Sequence, residues 1–349
     1  MAKKVNKVKK VKKAQKVKKV TKVKKVKENY EPAFEPKYRD DAKRAYHTVE
    51  SMGAALGIIG EEDVAELMHG ACDLHIHCWP DPLIDTGWSQ SHIAKRATDD
   101  GMKAVLFKSM TMPTAFTAPY VQEIVDIYAK EKQVPPVKVF GGIVCNYYVG
   151  GLFPESVEVC ARAGAKKVWL PSHDSAHHHR VMGEKGGIEL LDPKGKPRKE
   201  LMEIMEIAKK YDMILDPCHA SVKERFVVID AARRMGFKKI LLTHPNWNVN
   251  RATIEQQAEM ARRGAFVGLF MYSSVPHFNN PNGDPFEMLE IIKQVGPDRV
   301  VMSTDLGTML NVHPVEGMKL FIRLLLALGV KAGTIEKMVK KNPSYLLGI

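Results

Sequence analysis

The sequence predicts an α/β chain that folds as a (β/α)8 TIM barrel, and three observations support this class. From residue 71 onward, eight short apolar runs alternate with stretches of helical spacing. Runs that are apolar on both faces are typical of strands in a buried parallel sheet. The stretch 71–349 is also close to the ~250 residues typical of such a barrel. An open doubly wound sheet is the alternative, but no GxGxxG motif follows the first run.

The predicted strands follow one another at intervals that fit strand–helix repeats. They are 72–77, 104–108, 137–143, 166–171, 213–217, 238–243, 265–270 and 299–304. Several of them follow a glycine at the expected end of a helix, where glycine is favoured because it adopts a left-handed backbone without strain. The fourth and fifth strands are separated by an unusually long segment, 172–198. We predict that this segment forms a hairpin flap over the barrel mouth, with a turn at 192–195.

Two segments precede the barrel, which spans 71–349. Residues 1–27 hold fourteen lysines and no acidic residue, a composition that predicts disorder. We therefore assign 1–30 to a disordered lysine-rich tail and 31–70 to a helical extension. The tail is either a solvated arm or a binder of polyanions such as nucleic acid or an anionic membrane. Outside residues 1–27 the chain has 39 of the 53 basic residues and all 40 acidic residues, so its net charge is close to zero. The body of the chain therefore gives no reason to expect polyanion binding.

Composition places the protein in an ordinary globular class. The chain has 349 residues, and 45% of them are hydrophobic, enough for a large core. Five cysteines without a CxxC spacing favour a reducing compartment. There is no apolar run of about 18 residues, and the N-terminus lacks the apolar core of a secretory signal. We therefore expect a cytoplasmic protein, with a monomer and a homo-oligomer as open alternatives.

Side chains that suit a metal ion follow the predicted strands. His75 and His77 stand at alternate positions at the end of the first strand, so both imidazoles are expected on one side. His219, His244 and Asp305 follow the fifth, sixth and eighth strands. Because parallel strands of a barrel end at a common face, the five groups are expected there together. Imidazole and carboxylate ligands suit Zn²⁺ best, with Mn²⁺ or Fe²⁺ as alternatives.

This order of residues resembles the amidohydrolase superfamily of metal-dependent hydrolases, as does the closing NPSYLLGI. The resemblance covers 71–349 and suggests an uncharacterised amidohydrolase-like branch, related to the group that includes aminocarboxymuconate semialdehyde decarboxylase. It implies that His75, His77, His219 and Asp305 bind metal. It also implies that His244 binds a second metal, or polarises the substrate and stabilises the transition state.

The end of the fourth strand departs from the binuclear members of that superfamily, which carry a bridging carboxylated lysine or a glutamate there. This chain reads VWLPSHDSAHHH instead, so one divalent metal per chain is favoured. His173, Asp174 and Lys108 are the alternatives for holding a second metal, and Lys108 is also a candidate for binding a substrate anion. We interpret the run 177–179 as part of the flap rather than as a ligand set.

These groups predict an enzyme of the hydrolase class. A divalent cation lowers the pKa of a water that it binds toward about 7, Asp305 would accept that water's proton, and His244 would stabilise the developing oxyanion. The predicted reaction cleaves an amide, cyclic amide or ester-like bond in a small molecule. Trp79, Tyr147 and Trp247 are expected to line the pocket. One alternative is a decarboxylase or hydratase acting on a carboxylated substrate, and another is a tail-mediated polyanion-binding protein with a structural metal.

Overall fold

A computed structural model describes residues 59–277, 280–281 and 283–349. The predicted tail and most of the predicted helical extension lie outside these residues, so both stay predictions. Within the described part of the chain, strands alternate with helices from residue 72 onward. No helix in these ranges combines the length and the apolar character that a bilayer crossing demands.

The elements are numbered here in chain order. The strands are β1 Cys72–His77, β2 Ala104–Lys108, β3 Lys138–Phe140, β4 Gly142–Val144, β5 Lys167–Trp169, β6 Ile214–Asp216, β7 Leu241–Leu242, β8 Phe266–Phe270 and β9 Val300–Ser303. The α-helices are α1 Glu61–Met68, α2 Gln90–Asp99, α3 Ala118–Lys132, α4 Pro154–Arg162, α5 Ala176–Met182, α6 Lys199–Lys210, α7 Val222–Arg234, α8 Ile254–Arg262, α9 Met271–Ser274, α10 Pro285–Val295, α11 Pro314–Ala327, α12 Ala332–Glu336 and α13 Asn342–Leu347. Three 3-10 turns (Thr114–Phe116, Tyr147–Val149, Pro297–Arg299) and a π-helical turn (Lys337–Lys341) complete the set.

Each of the eight predicted strand runs contains a strand, and β1 and β2 have the predicted bounds. The third run is broken at Gly141 into β3 and β4. The reason is local: a Cβ at Gly141 would overlap the carbonyl of Thr114, whose hydroxyl donates to the carbonyl of Phe107 and accepts from the amide of Gly142. The hydroxyl of Thr114 thus bonds to a carbonyl of β2 and to an amide of β4, in place of a direct backbone hydrogen bond between strands.

Among the described residues every ladder between strands is parallel, and single bridges connect the sheets in an order that fits a ring. Three sheets, β1–β2–β3, β4–β5–β6 and β7–β8–β9, contain the ladders. Single parallel bridges connect Leu215 with Ile240 and Ile76 with Leu306, and β3 continues into β4 across Gly141. The chain of pairings therefore returns to β1, which is the order that the predicted (β/α)8 barrel requires.

An irregularity in β1 turns its end toward the inside of the ring. The register of β1 against β2 shifts between Asp73 and Ile76. Leu74 packs in the inner apolar cluster with Trp169, yet the ring of His75 also lies 5.5 Å from that of Trp169. Neighbouring residues of a regular strand face opposite sides, so this bulge allows both to face inward. Bulges commonly re-aim side chains in this way beside functional sites.

The segment 172–198, called the flap from here on, differs in part from the predicted hairpin. The predicted turn is present, because the amide of Gly195 donates to the carbonyl of Asp192 at 2.8 Å, and Leu191 and Pro197 form an antiparallel bridge around it. The first part of the flap is instead the helix α5. The side chain of Ser175 caps this helix by accepting from the amide of His178, a local signal that the hairpin prediction did not use.

Candidate metal centre

Four buried side chains converge at the carboxyl end of the strands. Nε2 of His75 and Nε2 of His77 lie 3.0 Å and 3.1 Å from Oδ1 of Asp305. Nε2 of His244 lies 3.6 Å from Oδ2 of the same carboxylate. Ligand atoms of His75, His77 and Asp305 all lie within 4.8 Å of one another. The structure therefore brings together four of the five groups that the sequence singled out.

Backbone strain is concentrated at the strand ends that carry these groups. His244 has φ +26° and Asp305 has φ +56°, and Cys218, directly before His219, has φ +50°. Residues with a side chain rarely adopt this left-handed region, and such strain is found at functional sites that the surrounding structure holds in place. Cys218 itself is buried in the inner apolar cluster.

Thr243 determines which nitrogen of His75 carries a proton. Its hydroxyl donates to Oδ2 of Asp216, because a carboxylate can only accept. The same oxygen lies 3.4 Å from Nδ1 of His75 and is therefore left to accept from that nitrogen. With the proton on Nδ1, the lone pair on Nε2 of His75 faces Asp305, and this buried nitrogen makes no hydrogen bond with the described residues. A lone pair opposite a carboxylate fits a cation between them, with Thr243 as the outer partner that a ligating histidine usually has.

His244 is oriented in a comparable way by Asn250. The amide nitrogen of Asn250 donates to the carbonyls of Cys218 and Thr243, at 3.0 Å and 3.5 Å. Its Oδ1 therefore faces Nδ1 of His244, at 3.4 Å, as an acceptor. The proton is placed on Nδ1, so Nε2 of neutral His244 presents a second lone pair to Asp305. This arrangement suits metal binding or proton acceptance directly, and donation to an oxyanion only after Nε2 has taken up a proton.

Burial sets the charges of this group. It holds the pKa of His75 well below the ordinary value and lowers the pKa of His244 to about 4, so both rings are neutral at pH 7. Neutral imidazoles and an ionised carboxylate are the protonation states in which these groups bind metal.

His219 belongs to a second group of ligand atoms, separate from the group of His75, His77 and Asp305, so its role as a ligand of the same metal stays a prediction. Its Nδ1 is 2.9 Å from Nδ1 of His178, and its ring centroid is 5.5 Å from that of His173. Ligand atoms of these three residues lie within 4.8 Å of one another. The helix α5 supplies His178 as the neighbour of His219, which follows β6. Burial, reinforced by the neighbouring imidazoles, holds the pKa of His219 well below its usual value.

Lys108 is a buried cation at the end of β2. It is 2% exposed and pairs in register with His77 of β1. Its Nζ lies 5.8 Å from the ring centroid of Trp169, and no carboxylate of the described residues is within ion-pair distance of it. A buried ammonium without an acidic partner is costly, so this position is unusual for a purely structural residue.

The predicted pocket aromatics and Asp174 have different positions. The ring of Trp247 lies 5.0 Å from that of His244 and 5.2 Å from that of His219. Trp79 and Tyr147 are 61% and 54% exposed, and neither makes a ring contact with the site histidines in the described structure. Asp174 accepts from the amide of Tyr147 at 2.7 Å through Oδ2, and it is not in either group of clustered ligand atoms of the described residues.

Three charged residues inside the strands support the site and were missed in the sequence. Asp216 binds Nζ of Lys167 at 2.8 Å as well as Thr243. Asp73 accepts from the hydroxyls of Ser303 and Thr304, which ties β1 to the residues just before Asp305. Burial raises the pKa of Asp73 to about 6. The signal was available, because a charged residue in an otherwise apolar strand must have a partner.

Comparisons with known proteins agree with this fold. An amidohydrolase from Pseudomonas aeruginosa superposes with a TM-score of 0.57 at 14% identity, over 81% of this chain and 98% of that chain. The probable dipeptidase PvdM from Pseudomonas aeruginosa gives 0.55 at 13% identity, over 83% of this chain and 98% of that one. The resemblance to the amidohydrolase superfamily is thus confirmed at the level of the fold.

The sequence comparisons are more restricted. A search of curated proteins gives no match. Residues 70–268 match a sequence family described as a family of unknown function. The matched range contains β1, the flap and both later histidines, and it ends before Asp305. The chain belongs to this family of unknown function, DUF6282.

Proposed function

We propose that the protein is a metal-dependent hydrolase that cleaves an amide, cyclic amide or ester-like bond in a small molecule. One observation carries the proposal: buried lone pairs on Nε2 of His75 and Nε2 of His244 face the Asp305 carboxylate at 3.0 Å and 3.6 Å, and neither has a proton to share with it. His75, His77 and Asp305 would hold a divalent cation, for which zinc is the first expectation. Such a cation, when bound, would supply Lewis acidity and make water acidic enough to react near neutral pH.

The chain's own groups account for the proton transfers. Oδ2 of Asp305 and Nε2 of His244 form a pair of acceptors 3.6 Å apart, close enough to orient one water by two hydrogen bonds. As that water adds to the carbonyl carbon, its proton passes to one of the two acceptors. The protonated group then donates to the leaving nitrogen or oxygen as the bond to carbon breaks. His244, once protonated at Nε2, can also donate to the developing oxyanion, which is the role expected for it from the sequence.

Lys108 favours a second candidate function, a decarboxylase or hydratase acting on a carboxylated substrate at the same site. Its ammonium is buried at the end of β2 and has no acidic partner among the described residues. A substrate carboxylate would neutralise this charge, and ion pairing in a water-poor site is much stronger than in water. In the decarboxylation the bond between the carboxylate and its carbon breaks, carbon dioxide leaves and the carbon takes a proton.

Metal content tests the proposal directly. The full-length chain is loaded with Zn²⁺, Mn²⁺ or Fe²⁺ in turn, dialysed and measured by elemental analysis. A variant with both His75→Ala and His77→Ala should lose an ion that the parent holds. The matched control removes two exposed histidines, His69→Ala and His92→Ala, and should keep the full content. Parent protein that retains none of the three metals would contradict the proposal.

The reaction class is tested next, with the metal-loaded protein. Panels of amides, cyclic amides and esters are compared with conjugated carboxylic acids, and carbon dioxide release is measured alongside product formation. Hydrolysed products without carbon dioxide support the hydrolase, and carbon dioxide from an acid supports the decarboxylase. An Asp305→Asn variant should lose orders of magnitude in either activity, because the acceptor loses its charge. Near-parental turnover by this variant would rule out the role assigned to Asp305.

A further inference from the structure

We propose that the flap carries a second divalent-cation site, formed by His173, His178 and His219. Ligand nitrogens of the three rings lie within 4.8 Å of one another. Zn–N bonds of about 2.0–2.1 Å place the nitrogens of one tetrahedral site roughly 3.3 Å apart, so small side-chain rotations suffice. This site goes beyond the proposed reaction and adds to the single metal that the sequence favours.

The rings are held in place by the backbone of the flap. The hydroxyl of Ser175 accepts from the amide of His178 at 3.2 Å and donates to the carbonyl of His219 at 2.9 Å. One serine therefore connects the start of α5 to His219, three residues beyond the end of β6. At Gly187, which has φ +94°, a Cβ would lie 2.5 Å from Cα of Ala176. The flap backbone thus folds tightly against α5, and the cluster does not depend on a loose loop.

The three rings differ from their neighbours in what they bind. Nε2 of His177 lies 2.9 Å from the carbonyl of Val249, and Nδ1 of His179 lies 3.1 Å from the carbonyl of Lys185. Both of these side chains therefore satisfy backbone acceptors. His178 instead meets the Nδ1 of His219 at 2.9 Å. Two neutral imidazoles paired by like nitrogens can share only one proton, whereas a cation would be bound by both lone pairs at once.

The composition of the cluster defines the class of ion. Three neutral imidazoles without a carboxylate favour a borderline cation such as Zn²⁺, and they disfavour Mg²⁺ and Ca²⁺, which prefer oxygen ligands. Three protein ligands leave a fourth position for water or substrate, as in catalytic zinc sites. Within this cluster His219 is near the first site, with its ring 5.2 Å from that of His244. The second ion would thus join the flap to the barrel beside the first site.

Metal stoichiometry separates this site from the first. After loading with Zn²⁺, the full-length protein should hold about two ions, as for two separate His-based sites. His178→Ala and His173→Ala should each lose one ion and keep the other. The controls His177→Ala and His179→Ala, on the same helix, should keep both. Parent protein with only one ion, unchanged in the His178→Ala variant, would overturn the inference even if the His75→Ala/His77→Ala variant confirms the first site.

Limited proteolysis gives a readout that is independent of activity. If the ion joins the flap to the barrel, Zn²⁺ should slow cleavage within 172–198 in the parent and in the His75→Ala/His77→Ala variant. The same addition should have no effect in the His178→Ala variant. Equal protection in the His178→Ala variant would overturn the role of the flap in binding. If the His75→Ala/His77→Ala variant loses the first ion but Zn²⁺ still slows cleavage of its flap, the flap site binds its ion independently of the first site.

Discussion

The hydroxyl of Thr243 lies 3.4 Å from Nδ1 of His75 and donates its own proton to Asp216. It therefore directs the lone pair of the other ring nitrogen at Asp305. Asp216 is in turn held by Lys167, whose Nζ is 2.8 Å away. A chain of three buried groups on β5, β6 and the end of β7 thus sets the tautomer of a histidine on β1. In this tautomer Nε2 of His75 is available to the metal ion that we propose.

Thr243→Val should weaken metal binding without unfolding the protein. Valine has the shape of threonine but leaves Nδ1 of His75 without its acceptor, and the loss of such an outer partner typically costs 10–100-fold in affinity, roughly 1.4–2.7 kcal/mol. Competition against a chromogenic chelator measures the change. Thr243→Ser, which keeps the hydroxyl, should bind nearly as tightly as the parent. Parental affinity in the valine variant would show that Thr243 does not orient His75.

Gly307→Ala should damage the site through the backbone. Gly307 has φ +121°, and a Cβ there would overlap the carbonyl of His77, so the strand end that carries a predicted ligand must move. Gly164 is a matched control, because its φ is +93° and no atom of the described residues lies within 4 Å of its Cβ position. Gly164→Ala should cost only the left-handed backbone penalty of about 1–2 kcal/mol.

The two alanine variants are compared by chemical unfolding and by metal content. Gly307→Ala should be destabilised more than Gly164→Ala and should also lose bound metal, whereas Gly164→Ala should keep it. If both variants lose the same stability and keep their metal, the close approach at His77 has no functional consequence.

The strands and their order along the chain could be predicted because each buried strand appears in the sequence as a short, continuous apolar run. Leu106 and Phe107 are buried on opposite faces of β2, and such two-sided burial is readable from composition alone. The grouping of His219 with His178 could not be predicted in the same way. It depends on α5, which the cap at Ser175 and the close contact at Gly187 hold in place, and the spacing of the sequence does not define where this helix lies.

The support behind the ligands was also beyond the sequence pattern. Asp73, Lys167 and Asp216 interrupt apolar runs, but the sequence does not show that Ser303, Thr304 and Thr243 meet them. These contacts join residues far apart in the chain. They become visible only when the strands are placed in their circular order.

His313 gives the protein an acid-sensitive helix start. Its Nδ1 accepts from the amide of Val315 at 3.3 Å and so caps α11. Burial, reinforced by His92, lowers the pKa of His313 to about 4, below the ordinary value near 6.5. On acidification the unfolded chain takes up this proton first, so the stability from the neutral cap is complete above pH 6.5 and is lost as the pH falls toward 4.

The variant His313→Asn keeps an acceptor at the cap but does not titrate, so it should gain stability relative to the parent as the pH falls from 6.5 to 4. Unfolding free energies in denaturant across that range measure the difference, and His69→Asn, an exposed histidine, is the control. A difference that stays constant with pH would mean that His313 does not contribute to the acid sensitivity.

Lys108→Met should separate stability from substrate binding. In the free protein the variant should be at least as stable as the parent, because it removes a buried ammonium without an acidic partner among the described residues and keeps most of the apolar stem. A carboxylate that pairs with Lys108 stabilises the folded parent by mass action, by about 2.7 kcal/mol at one hundred times its dissociation constant.

Thermal unfolding in the presence of benzoate or succinate, compared with the matching amides, tests this pairing. The parent should gain stability from the acids only, and the Lys108→Met variant should gain from neither. Equal stabilisation of both proteins by the acids would show that the carboxylate binds elsewhere, and the decarboxylase candidate would then lose its main support.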